Sequence, residues 1–298
     1  MSVNQKVWLP STIEEAWQIS KELSSDDFCF VLGGTWLRTQ WEAKLKTIPS
    51  HLVSMERIPQ LYGIREIEEM SQIVIGAMTP LAMCIESSVL QRGCEPLIRA
   101  CRKIAAPSIR NQATIGGNIL TRIGDTIPAL MCLATELWWF NGDEIISEAI
   151  ESFLMRDPNN DLLVAIVIPV EKEKNSRTFS FYQKIGRRES FVGSVVTIAG
   201  KGALTEGGIV QEITLAAGGG AMTPMRLLFA EELVSNQSIT NILLKRLHPL
   251  IENQFSAVAD SFVSGEYKKS LAANLIIAEF YQLGERFMLG GEQHVFGS

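Results

Sequence analysis

The sequence is poor in the residues that most often bind metal ions. Its 298 residues include only three histidines, and the five cysteines have no Cys-x-x-Cys spacing. Cys94 and Cys101 are seven residues apart and would share a face of one helix, but no histidine stands near them to complete a ligand set. We therefore expect reduced, structural cysteines, with neither a metal site nor an iron–sulfur cluster on this chain. The five are Cys29, Cys84, Cys94, Cys101 and Cys132.

An excess of basic residues and a long hydrophobic run are also absent. The formal net charge is −6 at pH 7, which argues against a surface for nucleic acid or anionic membranes. The most apolar stretch, residues 127–137, is too short to span a bilayer and contains Pro128 and Glu136. The first six residues lack the charged-then-apolar pattern of a secretory signal, so we expect a cytoplasmic protein.

With 46% hydrophobic and 20% charged residues, the chain can bury the cores of two domains.

Two glycine pairs are the most informative feature that is present. Gly33-Gly34 follows an apolar run at 28–32, and Gly116-Gly117 follows a break at Pro107. Backbone without side chains lets a ligand approach closely and exposes N–H groups to a phosphate. Neither pair has the third glycine of a Rossmann fingerprint, and no Walker A loop occurs. A single pair is most often only a turn, but two strand-to-glycine turns predict two loops that hold one long, diphosphate-containing ligand.

The pattern of elements predicts an α+β protein. Ser11 and Glu14 have capping-box spacing, and the helix they begin leads to a strand at 28–32, which gives a β-α-β opening. A polar segment at 171–176 is the expected domain boundary, with strands and then helices beyond it. The expected strands are 72–75, 162–170, 178–184, 192–199 and 209–216, and a hairpin is expected at Asn141-Gly142. One helix is expected to begin near Pro80, and further helices are expected at 96–105, 126–133, 239–255 and 268–283.

In their order along the chain, these segments resemble the FAD-binding subunits of the molybdenum hydroxylases, the xanthine dehydrogenase and carbon monoxide dehydrogenase group. The matches run from about residue 28 to about residue 285, and the Ala-Thr-Ile-Gly-Gly-Asn block is the most specific of them. The matching strings are Gly33-Gly34-Thr35, Ile75-Gly76-Ala77, Ile109-Arg110-Asn111, Ala113-Thr114-Ile115-Gly116-Gly117-Asn118, Lys184-Ile185-Gly186-Arg187-Arg188, Gly219-Gly220 to Ala230-Glu231, and Asp260 to Tyr267.

The resemblance implies FAD as the cofactor and an α+β fold of two parts. An FAD-binding domain of the p-cresol-methylhydroxylase (PCMH) type would span residues 1–172, with lobes at about 1–55 and 56–172. A smaller α+β domain, like the carbon monoxide dehydrogenase flavoprotein C-terminal domain, would span 177–288. The implied cofactor-binding residues are Val31, Leu32, Gly33, Gly34, Thr35, Trp36, Leu37, Thr114, Ile115, Gly116, Gly117, Asn118, Asp125, Val164 and Lys184.

Three of these residues also have an ordinary structural interpretation. Asp125 could equally be the N-cap of the helix that contains Pro128, and the two roles are compatible. Val164 could simply be buried strand core. Lys184, which the resemblance puts near the flavin ring, could be a solvated strand lysine, with Gln183 as the aligned residue instead.

Two features depart from the family pattern and bear on the site. Trp36 follows Gly-Gly-Thr where the family usually has an acidic or small residue, and only seven positions separate Asn118 from Asp125. Both concern the geometry of the flavin-side loops.

The function implied is that of an FAD-dependent oxidoreductase subunit, similar to that of xanthine dehydrogenase, which transfers electrons. A molybdopterin-binding large subunit and a [2Fe–2S] small subunit would be its partners, and NAD⁺ or another molecule its acceptor. The flavin would carry the redox chemistry, so no acid–base residue is expected to be catalytic. Two alternatives remain open: an independent FAD oxidoreductase of the same fold, and a flavin-free scaffold subunit.

Overall fold

The structure is a computed structural model that describes residues 5–157, 161–170, 177–186 and 193–292. The predicted boundary at 171–176 and the Arg187-Arg188 pair lie outside the described residues. The elements before residue 56 are β1 (Lys6–Trp8), α1 (Ile13–Glu22), β2 (Phe28–Val31), α2 (Thr35–Glu42) and β3 (His51–Ser54). The next are β4 (Ile64–Ile67), β5 (Gln72–Gly76), α3 (Leu81–Glu86), α4 (Ser88–Gln91), α5 (Glu95–Arg102), α6 (Pro107–Arg110), α7 (Ile115–Leu120), α8 (Ile127–Cys132), β6 (Glu136–Phe140), β7 (Ile145–Ala149), α9 (Ile150–Met155) and β8 (Leu162–Pro169). The last are β9 (Arg177–Gly186), β10 (Ser194–Leu204), β11 (Val210–Gly219), β12 (Met222–Arg226), α10 (Leu228–Val234), α11 (Asn241–Gln254) and α12 (Gly265–Glu292).

The first sheet is parallel and has the order β1-β3-β2. Helix α1 connects β1 to β2, which confirms the β-α-β opening. The capping box that starts α1 lies one residue later than predicted. Thr12, not Ser11, accepts the N–H of Glu15, and the Glu15 carboxylate accepts the Ser11 N–H at 2.7 Å. Thr12 and Glu15 have the same spacing as Ser11 and Glu14, so local sequence could not separate the two registers.

The second sheet is antiparallel and has the order β4-β5-β8-β6-β7. Strand β8 is its centre, which explains its continuous apolar run, because both of its faces are buried. One face packs with the first sheet and the other packs with helices α5, α7 and α8. The Asn141-Gly142 hairpin joins β6 to β7 as predicted, and Pro128 lies in the first turn of α8.

The third sheet is antiparallel, has the order β12-β11-β10-β9, and belongs to the C-terminal part of the chain. Phe181 and other residues of one face pack against α10, α11 and α12. Tyr182, Ala199 and Ala216 lie on the opposite face and join the core around α5 and α8. The third sheet therefore contacts helices α5 and α8 directly. The expected α+β fold is confirmed; β12 and α10 were not predicted.

The cysteines and the helices bear on two of the expected absences. All five cysteines are free thiols, and burial raises the pKa of Cys29 and of Cys94 to about 11. Among the described residues, no group of three or more His, Cys, Asp or Glu side chains is arranged to hold a metal ion. In the same part of the chain, none of the helices combines the length and the apolar character that crossing a membrane requires.

Candidate functional site

The first glycine loop connects strand β2 to helix α2. Gly34 has a φ of +67° and stands at the N-cap of α2, a conformation that glycine adopts without strain. Within the described residues, the N–H groups of Gly33 and Gly34 donate to no acceptor. The N–H groups of the next three residues lie in the first turn of α2, where a helix offers no internal acceptor. The loop therefore presents a row of free N–H groups, as anion sites do. All seven predicted contacts in this loop are half-buried: Val31, Leu32, Gly33, Gly34, Thr35, Trp36 and Leu37.

The second glycine pair is not a strand-to-glycine turn, so that prediction was wrong. Gly116 and Gly117 lie in the first turn of α7, which Thr114 caps by accepting the Gly117 N–H at 3.0 Å. Ile115 donates its N–H to the Thr79 carbonyl, and Gly116 donates to the Ala77 carbonyl. These N–H groups are already engaged within the protein. The row of consecutive free N–H groups therefore belongs to the first loop, whereas the second loop supplies a close-fitting surface beside it.

Glycine is required at position 33, where the first loop touches the second, and at position 116, where helix α7 packs against Ala77. A Cβ atom on Gly33 would lie 2.1 Å from the Gln112 carbonyl oxygen, and one on Gly116 would lie 2.6 Å from the Ala77 carbonyl oxygen. A Cβ on Gly117 would lie 3.8 Å from the Leu32 Cβ. The structure thus brings the two predicted segments together into one continuous surface.

Arg110 of the Ile-Arg-Asn string fixes the approach to the second loop. Its Nη1 group donates to the carbonyls of Ile104 and Ala105, at 3.0 and 2.6 Å, just beyond the end of α5. Such capping of helix carbonyls by a cation is favourable. Arg110 therefore has a structural role in the motif that carried the resemblance.

Asn118 and Asp125 hold the turn between α7 and α8. The Asn118 Oδ1 atom accepts the N–H of Thr126 at 3.1 Å and its hydroxyl at 2.7 Å. The N-cap of α8 is Thr126, so the alternative that Asp125 caps this helix is wrong. The Asp125 carboxylate instead turns toward the third sheet, where its Oδ2 atom lies 2.8 Å from Lys184 Nζ.

Lys184 is not a solvated strand lysine, because its side chain is only 10% exposed. Besides its ion pair with Asp125, it donates to the Lys103 carbonyl at the end of α5, at 3.0 Å. Its neighbour Gln183 faces away and bonds to Glu279 of α12. Of the two candidates that the sequence left open, Lys184 is the one that reaches the α7–α8 turn.

Val164 and Trp36 lie at the edges of this arrangement. Val164 is 6% exposed in β8 and belongs to the core between the first and second sheets, and its carbonyl accepts the Ala77 N–H. The buried-core interpretation therefore describes this residue in the structure. Trp36 is half-buried in the first turn of α2, and Lys46 Nζ lies 5.0 Å from the centre of its ring.

Sequence reasoning missed two residues of this site, Tyr182 and Ser194. Tyr182 donates its hydroxyl to the Asp125 main-chain carbonyl at 2.9 Å, and Ser194 donates to Asp125 Oδ1 at 2.6 Å. Burial and the Asp125 charge raise the pKa of Tyr182 well above its usual value, so its hydroxyl stays a donor. Nothing local marks either residue, since each pairs with a position more than 50 residues away.

A row of free N–H groups in close contact with the second glycine segment fits the diphosphate of a dinucleotide, so the molecule is of the cofactor-binding class. Comparison with known proteins identifies the cofactor. Residues 2–171 match the model of the FAD binding domain in molybdopterin dehydrogenase, and residues 180–283 match that of the CO dehydrogenase flavoprotein C-terminal domain. The first match covers more than half of the chain. The protein belongs to this family and is an FAD-binding subunit of the molybdenum hydroxylases.

Individual relatives agree with this family. The chain is 30% identical over 276 residues to the carbon monoxide dehydrogenase medium chain of Afipia carboxidovorans. This alignment covers 90% of the present chain and 92% of the relative. It is 29% identical over 218 residues to the xanthine dehydrogenase FAD-binding subunit of Escherichia coli O157:H7, covering 70% and 72%. The solved carbon monoxide dehydrogenase of Hydrogenophaga pseudoflava superposes with a TM-score of 0.84 at 24% identity, over 92% of this chain and 95% of that one, and so supports the fold.

Proposed function

We propose that this chain is the electron-transfer flavoprotein subunit of a molybdenum hydroxylase complex. Its partners are a molybdopterin-binding large subunit and a small subunit with [2Fe–2S] clusters, and its electrons go to NAD⁺ or another acceptor. The observation that carries the proposal is the contact between Gly33 and Gln112, which sets the free N–H groups of the first loop against the surface of the second.

The residues of the chain bind and orient the cofactor, and no acid–base residue takes part. The N–H groups of residues 33–37 hold the diphosphate, and the α7 turn from Thr114 to Asn118 forms the adjoining wall. Asp125 and Lys184 close the site from the side of the third sheet, and Val164 supports the floor between the two lobes. Bound FAD supplies the chemistry of electron exchange between one-electron and two-electron partners.

The partners and the domain limits belong to the same proposal. The relatives are named as a medium chain and as an FAD-binding subunit, which supports a role within a larger complex. We place the FAD-binding domain at residues 1–172 and the C-terminal domain at 177–288. The identity to the carbon monoxide dehydrogenase chain is 30% and that to the xanthine dehydrogenase chain is 29%, so the xanthine-dehydrogenase-like assignment has no advantage.

The first test is the visible absorption spectrum of the purified chain after incubation with FAD and desalting. We expect the flavin to be retained by the wild-type chain. We expect it to be lost from Gly117→Asp, which places a carboxylate beside Thr114 at the wall of the site. Thermal unfolding of both apoproteins is the control for folding. A well-folded wild-type chain that retains no flavin would contradict the proposal and favour the scaffold alternative.

The acceptor is tested on the FAD-loaded chain. Anaerobic addition of NADH should bleach the flavin spectrum if a nicotinamide is the partner in electron exchange. Absence of bleaching, with intact reduction by dithionite, would exclude NAD⁺ as the acceptor and leave the cofactor assignment in place.

A further inference from the structure

A chain of hydrogen bonds connects the C-terminal part of the protein to the glycine loops. Gly220, in the turn between β11 and β12, donates its N–H to Ser194 Oγ at 3.1 Å. Ser194 in turn contacts Asp125 Oδ1 at 2.6 Å. Asp125 precedes Thr126, whose N–H and hydroxyl are bound by Asn118 at the end of the second glycine segment. The third sheet thus reaches the cofactor wall through one carboxylate.

The direction of these hydrogen bonds is fixed by chemistry. A main-chain N–H can only donate, so Ser194 Oγ accepts from Gly220 and must use its own proton toward Asp125. The Asp125 carboxylate accepts the hydrogen bond from Ser194 on Oδ1, and its Oδ2 atom forms the ion pair with the Lys184 ammonium group. Two donors on opposite oxygens leave the Asp125 side chain with one orientation. Hydrogen bonds to an ionised acceptor are also stronger than neutral ones.

We propose that Ser194 is a positioning residue that orients the Asp125 carboxylate and its Lys184 partner, so that the C-terminal domain sets the affinity of the cofactor site for FAD. This inference rests on the proposed function. It assigns to Ser194 a role that its distance in sequence from the glycine segments would not suggest. Tyr182 assists by holding the Asp125 main chain from the same sheet.

The test compares the FAD dissociation constant of the full chain with that of Ser194→Ala, measured by quenching of flavin fluorescence. We expect roughly tenfold weaker binding, the usual effect of losing one hydrogen bond to a charged group. Ser194→Thr keeps the hydroxyl and should restore affinity. Ser147→Ala is the matched control, because Ser147 donates to the Glu136 carboxylate at 2.7 Å in the exposed β6–β7 hairpin.

Action through Asp125 is tested by repeating Ser194→Ala in an Asp125→Ala background. We expect less than a twofold further loss there, because the partner is already absent. Loss of affinity that is equal in both backgrounds would overturn the proposal, since a general structural weakening would act in that way. If Ser194→Ala fails to fold, Ser194→Cys makes the same comparison, because a thiol is a weak donor.

The two proposals fail in distinguishable ways. A wild-type chain with no affinity for FAD would overturn the proposed function and this inference together. A wild-type chain that binds FAD with an affinity that Ser194→Ala leaves unchanged would overturn this inference alone.

Discussion

Replacing Gly33 with alanine tests the contact on which the site depends. The added Cβ would lie 2.1 Å from the Gln112 carbonyl oxygen and 3.1 Å from the Ala113 Cα. An unstrained carbon–oxygen contact is about 3.3 Å, so the two loops must separate by about 1 Å. Both neighbouring atoms are main chain, and no side chain can rotate to make room. We expect a loss of about 2 kcal/mol in the free energy of unfolding, as for other overpacked sites.

The binding of FAD should suffer more than stability does. A displacement of about 1 Å moves the free N–H row away from the second loop, and binding sites tolerate about half of that. We therefore expect FAD to bind at least tenfold more weakly, a change of about 1.4 kcal/mol. Fluorescence titration gives the affinity, and urea unfolding of the apoprotein gives the stability.

Two other glycines separate the possible causes. At Gly93, no atom lies within 4 Å of a built Cβ, so Gly93→Ala should change stability by less than about 0.5 kcal/mol. At Gly34, space is available but φ is +67°, so Gly34→Ala should cost about 1 kcal/mol through backbone strain alone. A Gly33→Ala chain with the stability and FAD affinity of Gly93→Ala would refute the reasoning.

Two further predictions concern stability. The buried Thr197 hydroxyl has no hydrogen-bond partner among the described residues, so Thr197→Val should raise the free energy of unfolding by about 1 kcal/mol. Thr79→Val should lower the free energy of unfolding by about 1 kcal/mol, because the Thr79 hydroxyl accepts the N–H of Gly63 and donates to its carbonyl. Urea unfolding compares the two variants, and a change of the same sign in both would contradict the account. The hydrogen bond from Lys268 lowers the pKa of Asp260 to about 2, so this ion pair stabilises the fold above about pH 4 and is lost as the pH falls toward 2. Asp260→Asn should therefore have a lower Tm than wild type at pH 7, with the gap closing between pH 4 and pH 2; a gap independent of pH would exclude the ion pair as its cause.

The elements that were predicted correctly are those set by local chemistry. Asn141-Gly142 favours a tight hairpin, and Pro128 is well suited to the first turn of a helix, where its missing N–H costs no hydrogen bond. Strand β8 was recognisable because a strand buried on both faces must be apolar throughout. In each case the residues that determine the structure are neighbours in sequence.

The errors arise where distant residues decide. Gly116-Gly117 could follow a strand or begin a helix, and the choice depends on carbonyls of Ala77 and Thr79, nearly 40 residues earlier. Asp125 could have capped α8, but it pairs with Lys184 in another sheet instead. Such pairings require the folded topology, and no local pattern contains it.

Charge explains why the geometry of this site matters so much. The chain carries a net charge of −6, the first loop has no charged side chain between residues 31 and 37, and Lys184 is neutralised by Asp125. Under the proposed function, a diphosphate there is stabilised by fixed N–H dipoles, which act only over short distances and in one orientation. An excess of lysine or arginine would tolerate loose loops, because a point charge attracts from any direction. No lysine or arginine stands within residues 31–37, so under the proposed function the affinity for FAD depends on main-chain contacts such as that of Gly33 with Gln112, and on the carboxylate held by Ser194.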